Sequence, residues 1–246
     1  MKSPLCDSSF SLICTRDRVA AVAEFSSLLA AGLAESFGCG YGHRSAKAVS
    51  LLLSEYRSIT RVCNWLVVFS DLSPAGVRRL IYSSPNFSVF AARISTTVTM
   101  ALFLLSEEVS LLSKVGVLQK SLRSYASRLV PVFFFYHNLL KMVASVALLC
   151  TARRVSFEAT DTQSVFRRRR YRELFIMFLE GLLSTLYSML LLPYNAPRLK
   201  EALCEERWMD RLCAVLVSLC PQGICVGSTT QGILGLVSTV PMFCVS

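Results

Sequence analysis

Few side chains in this sequence could carry out acid–base or metal chemistry. The 246 residues include only two histidines, and one of them, His137, lies inside an apolar run. A hydrolytic triad or a metal cage requires several such groups to converge on one point. The acidic pairs Glu107–Glu108 and Glu205–Glu206 are adjacent in sequence, so their carboxylates diverge on a helix. We therefore expect a protein that is not an enzyme, with no catalytic residue, no metal and no cofactor.

Two isolated charges inside apolar runs are the more informative polar groups. Lys141 interrupts the apolar run 129–150, and Glu180 interrupts the run 174–192. A lysine at the centre of a membrane helix costs about 2.5–3.5 kcal/mol, so it requires a partner or a wet cavity. We predict that Lys141 and Glu180 pair inside, or at the rim of, a helical hairpin. Together with Glu107 and Glu108 they could also line a pore.

The composition is that of a membrane protein. Mean hydropathy is +0.51, 53% of the residues are hydrophobic, and only 17% are charged, against about 25% in soluble domains. No charged residue occurs between 212 and 246, although the whole chain has a net charge of +10. The basic residues therefore flank apolar segments and suit anionic lipid headgroups. No basic–aromatic groove pattern is present, so nucleic acid is not an expected partner.

The stretch 44–68 has the period of a basic amphipathic helix. Such a helix lies in the membrane interface with its apolar side in the lipid and its basic side on phosphates. A bundle helix with a solvated basic face is the alternative. The residues predicted to bind lipid are Lys47, Leu52, Leu53, Tyr56, Arg57, Ile59 and Arg61.

The uncharged C-terminal stretch carries small residues at helical spacing. A bilayer core takes roughly 20 apolar residues as helix, and we predict a continuous span from 222 to about 240. Glycines four positions apart allow helix backbones to approach closely in lipid. The predicted self-association face consists of Gly223, Gly227, Gly232 and Gly235.

The sequence predicts an all-α integral membrane protein with amphipathic N-terminal helices and two to three hydrophobic membrane helices. The expected segments are an amphipathic region (1–125), a membrane hairpin (126–192) with a basic loop (151–173), a polar linker helix (193–211) and the C-terminal span (212–246). The basic loop ends in an arginine run that is either a solvated flank of the next span or a targeting element. That run comprises Arg167, Arg168, Arg169, Arg170 and Arg172.

Three stretches resemble the peroxin-11 family of peroxisomal membrane proteins and its glycosomal relatives. Arg44-Ser-Ala-Lys47, leading to Leu53-Ser-Glu-Tyr56, is similar to the basic amphipathic region of the family. The leucine-rich segment 104–118 resembles its mid-chain segment, with Glu107-Glu108 in place of the usual aspartate–aromatic pair. The glycine-rich segment 232–238 resembles its C-terminal span.

The resemblance implies a multi-pass protein of the peroxisomal or glycosomal membrane that elongates the organelle before fission. Expected partners are anionic membrane lipids, the fission machinery, further copies of the chain in a homo-oligomer, and the import receptor for peroxisomal membrane proteins. That receptor would dock on the arginine run. Two other functions stay open at this point: a membrane channel for small metabolites, and a passive assembly factor that holds other membrane proteins.

Overall fold

A computed structural model describes residues 4–155, 164–195, 197–205 and 207–244. Within these ranges the fold is all-helical, with no strand, as predicted. The helices are α1 (Pro4–Ser36), α2 (Gly40–Thr60), α3 (Asn64–Ser70), α4 (Pro74–Ser83), α5 (Phe87–Val115), α6 (Lys120–Val155), α7 (Ser164–Leu191), α8 (Leu199–Leu203), α9 (Trp208–Ser218) and α10 (Ser228–Cys244).

Local chemistry explains where several of these helices begin and end. The side chain of Asn86 accepts a hydrogen bond from the backbone N–H of Val89, which caps the start of α5. Gly116 ends α5 with a φ of +89°, a conformation that glycine adopts without a Cβ penalty. Cys63 has a φ of +64°, which breaks the predicted helix 44–68 into α2 and α3.

Six helices form a closed ring. Going round the ring, α2 contacts α1, α1 contacts α10, α10 contacts α7, α7 contacts α6, α6 contacts α5, and α5 contacts α2. The short helices lie outside this ring: α3 and α4 pack on α5, and α9 packs on α6. An apolar cluster of Ala21, Phe25 and Tyr187 joins α1 to α7 at the inner side of the ring.

Four helices are long and apolar enough to cross a membrane. They are Arg16–Ser36 in α1, Phe87–Val115 in α5, Lys120–Thr151 in α6 and Tyr171–Leu191 in α7. Only 22–33% of the most apolar 18-residue stretch of each is buried, so most of their apolar surface points out of the bundle. The sequence predicted the runs in α6 and α7, but it assigned α1 and α5 to a region at the membrane surface.

The prediction of one continuous C-terminal span is wrong. Residues 219–227 between α9 and α10 are not helical, and α10 has 17 residues, fewer than the roughly 20 that a straight span takes. Gly223 and Gly227 precede α10, so they do not form the helical stripe that their spacing predicted. Pro221, which lacks an N–H donor, lies in this break.

The other predicted segments also differ in their bounds. Helix α6 continues to Val155 and α7 begins at Ser164, so helix occupies both ends of the predicted loop 151–173. The predicted linker helix 193–211 is instead the short α8 followed by the start of α9. Helix α5 pairs with α6 across the predicted boundary at 125/126.

Candidate functional site

The ring surrounds a partly open cavity of about 560 Å³ to which all six ring helices contribute side chains. Its wall is both charged and aromatic. The ionisable residues that line it are Asp17, Arg18, Glu24, Arg57, Arg61, Glu107, His137, Lys141 and Glu180. A volume of this size lies within the range of small-molecule sites in proteins, which is roughly 300–1,000 Å³.

The polar face of α2 is turned toward this cavity. Ser50 is buried, Ser54 lines the cavity, and the side chains of Arg57 and Arg61 are each 17% exposed. The apolar face of the same helix points outward, with Leu52 68% exposed. Helix α2 is therefore inverted relative to a helix of a water-soluble bundle, which buries its apolar face.

Arg57 and Arg61 bind three carboxylates in one ion-pair network. Arg57 donates to Asp17 Oδ1 over 3.1 Å and to Glu24 Oε2 over 2.7 Å. Arg61 donates to both carboxylate oxygens of Asp17 and, over 3.3 Å, to Glu107 Oε2. A guanidinium group presents pairs of parallel N–H donors, and binding both of them to one carboxylate fixes its orientation. The network ties α2 to α1 and α5.

The same contacts determine the charge state of Arg57. Burial alone would lower its pKa, but the carboxylates of Asp17 and Glu24 outweigh that effect and raise the pKa above its ordinary value. Arg57 is therefore a fixed positive charge in the wall of the cavity.

The seam between α2 and α5 depends on polar contacts. The hydroxyl of Ser58 donates to Glu107 Oε1 over 2.7 Å, and the backbone N–H of Cys63 donates to Glu108 Oε2 over 2.9 Å. The second of these bonds stabilises the left-handed backbone at Cys63. Closer to the surface, Lys114 on α5 pairs with Glu55 on α2.

The ion pair predicted between Lys141 and Glu180 is present. Lys141 Nζ lies 2.5 Å from Glu180 Oε1, and the two side chains are 29% and 12% exposed. Gly181 makes this approach possible, because a Cβ there would lie 3.0 Å from the backbone of Met142. The pair bridges α6 and α7 on the cavity side.

Aromatic rings form another part of the wall. The ring of Phe103 lies 5.1 Å from that of Phe134, and the ring of Phe25 meets Tyr187 edge-on at a centroid distance of 5.1 Å. His137 also lines the cavity, and its Nδ1 lies 3.2 Å from the carbonyl oxygen of Thr96. This contact joins α5 to α6.

The predicted lipid-binding residues divide into two groups. Leu52, Tyr56 and Ile59 are exposed, as a lipid-facing side requires, while Leu53 is half-buried. Lys47 is also exposed. The prediction is wrong for Arg57 and Arg61, because carboxylates inside the bundle engage the guanidinium groups that were expected to contact lipid phosphates.

The predicted self-association glycines pack within the chain. A Cβ on Gly232 would lie 2.6 Å from the backbone nitrogen of Leu29, and one on Gly235 would meet the ring of Phe25. Both glycines therefore serve the contact between α10 and α1. Gly223 is buried against the backbone of Leu192, and Gly227 faces open space.

The arginine run forms the first turns of α7. Arg167, Arg168, Arg169 and Arg170 fall in that helix, and their side chains lie outside the described residues; Arg172 is exposed. Sequence reasoning assigned no role to Asp17 or Glu24. Glu24 carried the signal of an isolated acid in an apolar stretch, as Glu180 did, whereas Asp17 lies between Arg16 and Arg18 and carried no such signal.

No protein-family model, no curated protein and no solved structure matches this chain.

Proposed function

We propose that this chain is a multi-pass membrane protein, not an enzyme, that binds a small polar solute in its ring cavity and passes it across the bilayer. The single observation that carries the proposal is the inverted arrangement of polarity. Charged side chains from α1, α2, α5, α6 and α7 face a partly open cavity, while many apolar side chains face outward. Ionisable groups at membrane depth are expensive and mark solute pathways when they line a cavity.

The chemistry of the wall supports a passage for solute better than a packed structural core. A core that served only stability would be filled, since protein interiors pack like organic crystals. Here about 560 Å³ stays open beside four carboxylates and four basic groups. The polar seam between α2 and α5 is a natural place for the ring to open, because hydrogen-bonded and ionic contacts can exchange partners with water.

Solute flux through vesicles tests this proposal. The full chain is reconstituted into liposomes, and a panel of small labelled solutes (a sugar, an organic cation, an organic anion and a zwitterion) is followed across the membrane. Ser184, which is 6% exposed and lines the cavity, is replaced by cysteine in a background whose native cysteines are serine. A polar methanethiosulfonate reagent then fills the cavity after folding is complete.

We expect flux of at least one solute class before modification and at least a tenfold loss after it. Ser121 lies at the exposed start of α6 and outside the cavity, so modified Ser121→Cys should keep its flux. Equal flux in modified and unmodified Ser184→Cys would contradict the proposal, as would an absence of flux for every solute.

A second proposal retains the function implied by the peroxin-11 resemblance. In it the chain elongates the peroxisomal or glycosomal membrane as a homo-oligomer, with anionic lipids, the import receptor and the fission machinery as partners. The exposed apolar face of α2 supports it: Leu52 is 68% and Ile59 is 59% exposed, and Lys47 is exposed on the same helix. This face could insert into one leaflet without the help of Arg57 and Arg61.

Tagged localisation and vesicle tubulation test the second proposal. The tagged chain should reach peroxisomes or glycosomes, and the full chain should tubulate anionic vesicles. Leu52→Gln with Ile59→Gln should abolish tubulation, while Ser121→Gln, at an exposed position of α6, should change it less than twofold. Location in another organelle, or tubulation that survives the double replacement, would refute it.

A further inference from the structure

We infer that the cavity takes a zwitterionic solute with an apolar body, of the kind represented by a large apolar α-amino acid. This inference rests on the proposed solute-binding function and specifies its substrate class. Three features of the wall carry it: a balance of charge, one ion pair that can exchange partners, and an aromatic surface at a fixed distance from that pair.

The first feature is the balance of charge. The acids that line the cavity are Asp17, Glu24, Glu107 and Glu180, and the bases are Arg18, Arg57, Arg61 and Lys141. Four negative and four positive groups leave no formal excess, with His137 neutral. A solute with a net charge would leave the cavity and its wall with a net charge, whereas a zwitterion adds none.

The second feature is a difference in the number of charged partners between the network around Asp17 and the Lys141–Glu180 pair. Asp17, Arg57 and Arg61 each have two charged partners, so a solute that displaced one contact would leave the other in place. Within the described residues, Lys141 and Glu180 form ion pairs only with each other. A solute carboxylate can bind Lys141 while a solute ammonium binds Glu180, so both protein charges keep a partner.

A solute that carried only one charge would bind this pair poorly. An amine would occupy Glu180 and leave Lys141, which is partly buried, without a counter-ion, and an acid would do the reverse. Removing one partner from an ion pair that is partly withdrawn from water is unfavourable. The pair therefore selects for solutes that carry both groups on neighbouring atoms.

The third feature is the position of the aromatic surface. Phe134 lies seven residues before Lys141 on α6, and Tyr187 lies seven residues after Glu180 on α7. Seven residues are two helical turns, or about 10 Å along the same helix face. Phe103 of α5 packs against Phe134. A solute whose charged end binds Lys141 and Glu180 can thus direct an apolar body of several carbons toward these rings.

Three matched probes separate the alternatives. L-Phenylalanine carries both charges, 2-phenylethylamine carries only the ammonium, and 3-phenylpropionate carries only the carboxylate. Binding of tritiated L-phenylalanine to the reconstituted full chain is measured, with the other two as competitors. We expect each singly charged probe to compete at least tenfold more weakly than unlabelled L-phenylalanine.

Replacements of Lys141 and Glu180 test whether this pair binds the solute. Lys141→Met and Glu180→Gln should each weaken L-phenylalanine binding at least tenfold, and the double charge swap Lys141→Glu/Glu180→Lys should restore it to within threefold. Lys120 is exposed at the start of α6 and lies outside the cavity, so Lys120→Met is the control and should change binding less than twofold. The charge swap keeps the test valid if a single variant fails to fold.

The other outcomes distinguish a failure of the zwitterion inference from a failure of the proposed solute passage. If the vesicles pass another solute class of the flux panel through the cavity while L-phenylalanine neither binds nor crosses, the zwitterion inference is overturned and the proposed function stands. Equal competition by all three probes would overturn the inference in the same way. If no solute crosses, the proposed function itself fails.

Discussion

Arg57 Nη1 on α2 lies 2.7 Å from Glu24 Oε2 on α1, inside the ring of helices. The two side chains are 17% and 14% exposed, so water competes little for either group. This contact fixes the rotation of α2: it places the polar side of the helix on the cavity and the apolar side on the outer surface. The orientation of one helix thus depends on a contact between residues 33 positions apart.

Removal of Arg57 should destabilise the bundle. In Arg57→Ala, Glu24 loses its partner and Asp17 keeps only Arg61, which leaves partly buried carboxylates with too little positive charge. Breaking a buried pair from one side costs about 3–5 kcal/mol. We expect a loss of about 3 kcal/mol, measured by thermal unfolding of the purified protein in detergent. Arg44→Ala, at an exposed position of the same helix, should change stability by less than about 0.5 kcal/mol. Equal effects of the two replacements would mean that Arg57 faces outward.

A methyl group on Gly232 should disturb the contact between α10 and α1. The new Cβ would meet the backbone of Leu29 at 2.6–2.7 Å, and a backbone cannot rotate away as a side chain can. Overpacking of this kind costs about 1–3 kcal/mol. Gly227→Ala is the control, because a Cβ there meets nothing within 4 Å. Thermal unfolding gives the stability of both variants, and size-exclusion chromatography gives their oligomeric state. Loss of an oligomer without loss of stability in Gly232→Ala would support the original self-association prediction.

Replacement of Cys63 by glycine should leave stability unchanged or raise it. The φ of +64° at this position is costly for a residue with a Cβ, by about 1–2 kcal/mol, and glycine removes that cost. The opposite change, Cys63→Val, should lower stability by about 1 kcal/mol or more, because β-branched residues tolerate this region least. Unfolding of the two variants in parallel provides the comparison. If Cys63→Val stabilised the protein instead, α2 and α3 would form one continuous helix.

Thiol reactivity should follow burial in the segment around α9. Cys213 and Cys220 are buried, whereas Cys204 and Cys225 are exposed. Burial also raises the pKa of the Cys213 and Cys220 thiols, which reduces the reactive thiolate fraction near neutral pH. In single-cysteine variants, maleimide should label the two buried thiols at least tenfold more slowly at pH 7.5. Raising the pH should speed their labelling, since more thiolate forms. Equal rates for all four would place α9 away from α6.

The helical period of the apolar residues and the single charges inside apolar runs predicted much of this architecture. The apolar runs around Lys141 and Glu180 gave two helices and their pairing, because a lone charge in such a run requires an opposite charge nearby. The period of 44–68 also separated the two faces of α2 correctly. It could not tell which face points inward, since an amphipathic pattern is the same for a helix with its apolar side in a core or toward lipid.

The rest of the cavity wall could not be predicted, because it is formed by residues that are far apart in the sequence. Asp17 and Glu107 meet at Arg61 only because α1, α2 and α5 converge at one point of the ring. No local pattern encodes that convergence. The break at 219–227 was missed for a related reason: a GxxxG spacing describes a helix face only where a helix exists, and Gly223 instead packs against the backbone of Leu192.

The order of the ring along the chain has a consequence for biosynthesis. Helix α10 fills the gap between α1 and α7, yet the ribosome makes it after the five other ring helices. Until α10 docks, the acidic and basic groups of the future cavity wall line a groove that lacks the side contributed by Ser238 and Thr239. We therefore expect water, lipid headgroups or an insertion factor to shield that groove in the nascent chain until α10 docks and completes the wall.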